Sequence, residues 1–322
     1  MKKEIVEILC CPSCYSSLNL QIDEQKNGDI IEGYLICEAC EVRYPIINSI
    51  PRIVPAKMLF IEKKTCDSFD FAWKHYGRQL SDNLNSEFLS LVRPWKASDF
   101  KEKVVLDVGC GAGRLSRLAA SYGAKHVFSI DLSRAVETAF ELSKDYSNIH
   151  FFQASLFDLP FKKEFDIVFS LGVLHHTPNP LLGFKSILEV LKVKGKVGIW
   201  VYGKEGNEIM GLLMNLFRIV TTKLNSQVRK RLSKIIIIMV EVFNVSIFKF
   251  FNNLFYGDYL EYFNRELSRA DREYVAFDFM STPIIKYISK RELDILVSEV
   301  GLLDVMILQR NGNSWMLTGR KQ

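Results

Sequence analysis

The chain has 322 residues, 48% of them apolar and 25% charged, with a formal net charge of +5. That length can bury a full core and predicts two domains, and the composition is that of an ordinary globular protein. A balance this mildly basic does not by itself argue for nucleic acid. Met1-Lys-Lys-Glu-Ile lacks the long apolar core and small-residue cleavage site of a signal peptide. Seven cysteines, with two Cys-x-x-Cys spacings, fit metal binding in a reducing compartment better than a disulfide framework, so the cytoplasm is expected.

Cys11-Pro-Ser-Cys14 and Cys37-Glu-Ala-Cys40 are separated by 22 residues. Four thiolates at that spacing can surround one Zn²⁺ tetrahedrally and leave no open position for chemistry. Asn27-Gly28-Asp29 between them, flanked by strand-like runs, predicts a hairpin. A core this small needs the metal for much of its folding energy. A redox Cys-x-x-Cys is the competing reading, though two such pairs are more economical as one site. Cys10 reads as a neighbour of the cluster, and Cys66 and Cys110 as buried thiols. Leu9-Cys-Cys-Pro-Ser-Cys14, with Tyr44-Pro-Ile and Ile50-Pro51, resembles the zinc-ribbon family that includes the small activator subunits of tRNA and protein methyltransferases. That likeness implies a structural Zn²⁺ on Cys11, Cys14, Cys37 and Cys40, and a surface where a protein partner docks.

Ile53 to Lys64 reads as a connector. In the helical stretch that follows, Phe69, Trp73 and Tyr76 share a face at i, i+4 and i+7, which predicts packing on the next domain. His75 lies off that stripe.

Residues 103–131 carry the clearest chemistry. Val104 to Leu106 is a short apolar run, as in a strand buried on both faces. Asp107 follows, then Gly109, Gly111 and Gly113, then a helix over Arg114 to Tyr122 with Leu115, Leu118 and Ala119 on one face. A second strand, His126 to Ile130, ends in Asp131. A dinucleotide loop would carry its third glycine where Arg114 stands, and a P-loop would continue into Gly-Lys-Ser/Thr. The carboxylate before this loop repels a pyrophosphate and suits a cationic amine. The run resembles motif I of the class I S-adenosylmethionine methyltransferases. By that resemblance Asp107 lies near the methionine end, the loop Gly109, Cys110, Gly111 and Gly113 approaches the cofactor, and Asp131 and Leu132 meet the ribose.

The α/β alternation continues with a helix over Ala135 to Lys144 and strands over Ile149 to Gln153 and Phe165 to Leu171. Relatives place an adenine-binding Asp where this chain has Ser155, whose hydroxyl can hydrogen-bond adenine without charge. Leu156 can offer its backbone N–H, and Ser170 and Leu171 complete the implied cofactor set. Asp158 reads as a solvated or capping acid. Leu174-His175-His176 follows the fourth strand and resembles a segment of the ubiquinone and menaquinone C-methyltransferases. One histidine can act as general base, or both can orient the loop through hydrogen bonds. A helix over Leu181 to Leu191 and a strand over Lys196 to Tyr202 place Tyr202 at the same crevice.

The next core helix, Lys290 to Val300, and a final hairpin, Leu302 to Gln309 with Ser314 to Leu317, come only after an insertion over 203–288. In it Lys223, Arg229, Lys230, Arg231 and Lys234 precede an apolar run, Ile235 to Tyr256, with a polar stripe of Glu241, Asn244, Lys249 and Asn252. A helical cap, a membrane-surface contact through 221–256 and a membrane span all remain open. Phe277 to Pro283 occupies the place of a segment that enters the substrate pocket in related enzymes.

The expected fold is therefore a seven-stranded α/β Rossmann-like methyltransferase sheet over 57–322, with a β zinc ribbon over 1–56 and a helical insertion at 203–288. The expected activity is S-adenosylmethionine-dependent methyl transfer, with His175, His176 and Tyr202 as the catalytic candidates. The apolar insertion points to a small apolar or amphipathic acceptor, with nucleic acid ranked below it. RNA methylation and a non-catalytic S-adenosylmethionine-binding scaffold are the rival readings.

Overall fold

The computed structural model describes residues 1–55, 58–80, 85–162, 164–242, 263 and 267–322. The chain opens with an antiparallel sheet of β1 (Asn19–Lys26), β2 (Asp29–Cys37), β3 (Val42–Ile47) and β4 (Ile50–Ile53). Asn27 and Gly28 turn β1 into β2 with φ of 51° and 84°, the left-handed pair that a tight hairpin needs.

This small sheet does not stand apart. β4 pairs in parallel with β7 (Ile149–Ala154), Arg52 opposite Gln153 and Ile53 opposite Ala154. Beside that pairing the Cys10 N–H donates to the Pro160 carbonyl at 3.0 Å and the Lys162 N–H to the Ile8 carbonyl at 3.0 Å. One core cluster runs from Ile30 and Leu35 through Phe161 to Phe152. The expected seven-stranded sheet is thus part of an eleven-stranded one, ordered β1-β2-β3-β4-β7-β6-β5-β8-β9-β11-β10. The reason is the open edge of β7, whose unpaired backbone groups β4 satisfies. One edge of the ribbon is thereby taken by the same chain.

Arg52 fastens the junction. It is 8% exposed, and its guanidinium donates to Glu137 Oε1 at 3.1 Å and to Gln153 Oε1 at 3.2 Å. Gln153 Nε2 in turn donates to the Leu132 carbonyl at 2.9 Å, just past Asp131. Replacing Arg52 by Ala should cost about 2 kcal/mol of stability by leaving the Gln153 acceptor unpaired, read as a lower denaturant midpoint at constant m-value.

The main sheet takes β5 (Val104–Val108), β6 (His126–Asp131), β7, β8 (Phe165–Leu171) and β9 (Leu191–Tyr202) in parallel. β10 (Leu303–Arg310) and β11 (Ser314–Arg320) close it antiparallel, β11 against β9. Around it lie α1 (Phe60–Tyr76), α2 (Asn85–Leu91), α3 (Arg114–Ser121), α4 (Ala135–Leu142) and α5 (Pro180–Val190). The order reverses between β5 and β8, so the crevice at the carboxyl ends of β5 to β9 is the ligand position of this topology.

The insertion supplies α6 (Glu208–Thr221), α7 (Ser226–Val242) and α8 (Arg269–Ser281), ahead of α9 (Lys290–Val300). The apolar run expected from Ile235 begins inside α7, and its residues 243–256 lie outside the described ones. The basic run is not a uniform solvated face. Arg229 is 7% exposed, lies over the Phe277 ring at 5.7 Å and donates to the Ser281 carbonyl at 3.2 Å. Among the described residues no helix is long and apolar enough to cross a membrane.

Candidate active site

β5 delivers Asp107 to the crevice, where it is 2% exposed and Oδ2 accepts from the Ser116 hydroxyl at 2.6 Å. Loss of water pushes its carboxyl up to about 7, with the Ser116 hydrogen bond opposing the rise. A buried carboxylate in this state gains most from a cationic ligand. The loop after it is stitched to β6, because the N–H groups of Gly109 and Cys110 both donate to the Ile130 carbonyl, at 2.8 and 2.9 Å.

The loop glycines have φ between 53° and 81°. At Gly111 a Cβ would stand 2.7 Å from the Trp73 indole, and at Gly109 2.4 Å from Val173. A side chain at either position would therefore collide as well as strain the turn. Gly111 and Gly113 do not line the cavity: Trp73 covers the first, and the second packs on Ala139 and Phe151. The aromatic stripe of α1 thus works through Trp73, whose ring lies tilted by 34° against Tyr274 of α8 with ring centres 4.8 Å apart.

Asp131 accepts the Gly111 N–H at 2.9 Å, and the Ser133 N–H and hydroxyl at 2.9 and 2.6 Å. Burial raises its pKa, and these hydrogen bonds hold it down. Ser155 is buried, and its hydroxyl accepts the Phe157 N–H at 3.1 Å, which shapes the turn after β7. Ser170 does not reach the cavity; its hydroxyl donates to the Val108 carbonyl at 3.0 Å, between β8 and β5. Cys110 does reach it, with a thiol that burial holds well above the usual range and so keeps unreactive.

The cavity measures about 850 Å³, within the range that takes a nucleoside ligand and a second group beside it. Asp107, Gly109, Cys110, Asp131, Leu132, Ser155, Leu156 and Leu171 line it, and so do His175, His176 and Tyr202. His175 is fully buried and stacked on Tyr202, ring centres 4.0 Å apart. Neither of its ring nitrogens has a hydrogen-bond partner among the described residues, and burial lowers its pKa far enough to keep it neutral. His176 differs. Its Nδ1 lies 3.0 Å from the Ile284 carbonyl and donates to it, which fixes the ring against the segment after α8.

Several lining residues have no place in the sequence reading. Ser116, which holds Asp107 without lining the cavity itself, is marked by nothing in the sequence around it. Trp200 stands two residues before Tyr202 on one strand, hence on the same face, and that alternation was available. On α8 the cavity is lined by Asp271, Tyr274 and Val275, which the sequence reading missed, and by Asp278 and Phe279, which lie in the stretch it assigned to the pocket. They recur at i, i+3, i+4, i+7 and i+8, a helix face whose polar members disguise it.

In the ribbon, the sulfur atoms of Cys11, Cys14, Cys37 and Cys40 all lie within 4.8 Å of one another. Cys14 and Cys37 are 3.5 Å apart and Cys11 and Cys40 3.9 Å. Four ligands at the usual zinc–sulfur bond length stand about 3.8 Å apart in a tetrahedron, so the donor set fits a structural Zn²⁺.

Residues 106–199 match the family described as a methyltransferase domain, and residues 2–49 match that described as Trm112p-like protein. Two stretches of the chain thus match two families, the Trm112p-like one ahead of the methyltransferase one. The tRNA U34 carboxymethyltransferase of Shewanella halifaxensis (strain HAW-EB4) is 35% identical over 115 residues, which span 34% of this chain and 35% of that one. Protein arginine N-methyltransferase 1 of Saccharomyces cerevisiae is 60% identical over 43 residues, 13% of this chain and 12% of its own. The solved DhpI-SAM-HEP complex shares the fold at a TM-score of 0.50 and 14% identity, covering 82% of this chain and 100% of that one. The match thus spans about a third of the Shewanella relative's length.

These relatives correct two expectations. The apolar insertion pointed to a small apolar acceptor, with nucleic acid ranked below it, yet several relatives are named for tRNA. Apolar composition alone does not separate packing from exposure. Ile237, Phe277 and Met280 of the insertion are buried, whereas Leu212, Leu216, Ile219, Val220, Ile235 and Met239 are exposed. The relatives give no support to the membrane-surface contact through 221–256; within it Arg229 is turned inward, and residues 243–256 lie outside the described ones.

Proposed function

We propose that this protein transfers a methyl-type group from S-adenosylmethionine to a base in tRNA. The observation that carries the reading is the aromatic wall beside the glycine loop. Tyr202 lies against His175 and faces Phe279 and Tyr287 at ring-centre separations of 6.5 and 6.4 Å, with interplanar angles of 11° and 24°. Rings so arranged offer stacking faces to an unstacked nucleobase, the usual form in which enzymes reach a base. Arg93, Lys204 and Lys286 are exposed; Arg93 lines the cavity and the lysines adjoin its walls in sequence, where phosphates can meet them.

In this reading residues 1–56 are the ribbon, 57–322 the transferase domain and 203–288 its cap. S-adenosylmethionine, when bound, supplies the electrophilic methyl. Asp107 takes its amino group, Asp131 and Leu132 the ribose, and Ser155 and Leu156 the adenine. Trp73 and α8 exclude water and hold the acceptor at attacking distance, which supplies most of the rate. His175, neutral and unpartnered, is placed to receive a proton, and His176 orients the loop. The Leu-His-His likeness to the quinone enzymes is confined to this loop and carries no acceptor. The thiolates of the ribbon suit the cytoplasm.

The purified protein, incubated with labelled S-adenosylmethionine and total tRNA, should place label in a modified nucleoside, and RNA binding should weaken steeply with salt. The mass added to the nucleoside separates methyl from carboxymethyl. Label found only in protein or lipid overturns the reading.

A further inference from the structure

The cavity does not end at the aromatic wall. Across β9 and β11 Ser314 stands opposite Tyr202, so the turn over 311–313 lies just beyond that strand end. Arg310, Asn311 and Asn313 line the cavity there, and so do Glu87 of α2 and Arg93 in the segment after it. Arg310 pairs with Glu87, its Nη2 3.4 Å from Oε1, and joins the end of β10 to α2. The two side chains keep partial access to solvent, at 17% and 30%.

Neither end of this ion pair depends on it for support. Arg310 is held through its backbone, where its carbonyl accepts the Ser314 hydroxyl at 2.9 Å. The turn beside it is tied to the segment after β9, because the Asn313 carbonyl accepts the Gly203 N–H at 2.9 Å and the Asn207 amide at 2.6 Å. Phe88 holds α2, fully buried with its ring centre 5.2 Å from that of Phe169. A partly exposed ion pair contributes little to stability. At 3.4 Å this one is also longer than the about 2.8 Å of a good charge-assisted hydrogen bond, so a better-fitting anion can displace the carboxylate. A phosphate is such an anion, since it takes two parallel N–H donors from a guanidinium. Arg93 and Arg310 against Glu87 leave this rim net positive, and the amides of Asn311 and Asn313 suit the hydroxyls of a ribose.

We propose that Arg310 binds a phosphodiester of the RNA chain beside the base admitted to the cavity, and that Glu87 holds the guanidinium in place until the RNA displaces it. This rests on the tRNA reading above and adds to it the residue that grips the backbone and the carboxylate that competes for it.

The test uses the full-length protein with S-adenosylhomocysteine bound and fluorescently labelled bulk tRNA, titrated between about 50 and 200 mM salt. Arg310→Gln should weaken binding about fivefold or more at the lower salt. It should also reduce the slope of log affinity against log salt by about one, the loss of one phosphate contact. Arg310→Lys keeps the charge and should keep the slope. Glu87→Gln should act in the opposite sense and tighten binding about threefold, because no carboxylate then competes with the RNA. A purely structural ion pair would move both Gln variants the same way, toward weaker binding. Affinity for S-adenosylhomocysteine should stay unchanged in all three. The inference is overturned if Glu87→Gln fails to tighten binding, if Arg310→Gln keeps the parent slope, or if both lose S-adenosylhomocysteine affinity. Labelled tRNA alongside any of these results removes the phosphate site and leaves the RNA activity standing, whereas absence of label in tRNA removes both.

Discussion

Asp107→Asn should weaken S-adenosylmethionine binding by about a hundredfold and, at pH 8, make the empty protein more stable. Both effects come from one carboxyl group. Its pKa in the fold is about 7 against 3.8 for the free group, with burial as the main cause. A raised folded pKa contributes stability below pH 4, and that contribution is lost as pH rises through 7. At pH 8 the unliganded fold therefore holds a buried charge opposed by little beyond the Ser116 hydroxyl. Asn keeps an acceptor for that hydroxyl and removes the charge, so the melting temperature at pH 8 should rise by about 3 °C or more, with no gain at pH 4. Binding moves the other way because the amino group of the cofactor loses its counter-ion, a change of the size seen when one member of a buried charge pair is removed. In the parent the same linkage makes affinity fall about tenfold per unit below pH 7, since binding must then release a proton. Calorimetric titration at pH 6 and pH 8 measures it. An affinity that does not change between them would show that Asp107 does not meet the amine.

Removing zinc from the ribbon should lower the melting temperature of the whole chain by more than 10 °C. A structural Zn²⁺ on four thiolates supplies about 10 kcal/mol or more to a domain that cannot fold without it. In a detached ribbon that loss would stay local. Here β4 is a strand of the main sheet, and Arg52 ties it through Gln153 to the carbonyl of Leu132. Unfolding the ribbon therefore uncovers the edge of β7 and releases the loop after Asp131. Cys37→Ser, or chelation under reducing conditions, should reduce both stability and S-adenosylhomocysteine affinity. Elemental analysis should find one zinc per chain. A protein that holds no metal and melts unchanged after Cys37→Ser would show the cluster to be something else.

The order of elements was legible because the buried parallel strands are short apolar runs and the helices between them carry apolar residues at helical spacing. Phe165–Leu171 and Lys290–Val300 have the bounds their patterns predict. Of the residues expected on the cofactor side, Asp107, Gly109 and Asp131 line the cavity and Gly111 and Gly113 do not. The acceptor side was not legible. Trp200 and Tyr287 come from a strand and from the segment after α8, and each alone reads as ordinary core. The acceptor class was misjudged for a related reason. An apolar insertion has the same composition whether its apolar face receives a ligand or packs on its own neighbours.

By itself the sequence determined the metal cluster, the α/β alternation and the glycine loop, all of which depend on residues within a few tens of positions. Only the tertiary structure decided that the ribbon completes the edge of β7, that Trp73 closes over Gly111, and that the rings of Trp200 and His175 meet beside Tyr202. These are contacts between segments far apart in the chain. They are set by which backbone edges and buried groups still lack partners once local structure has formed, and local pattern carries no record of that.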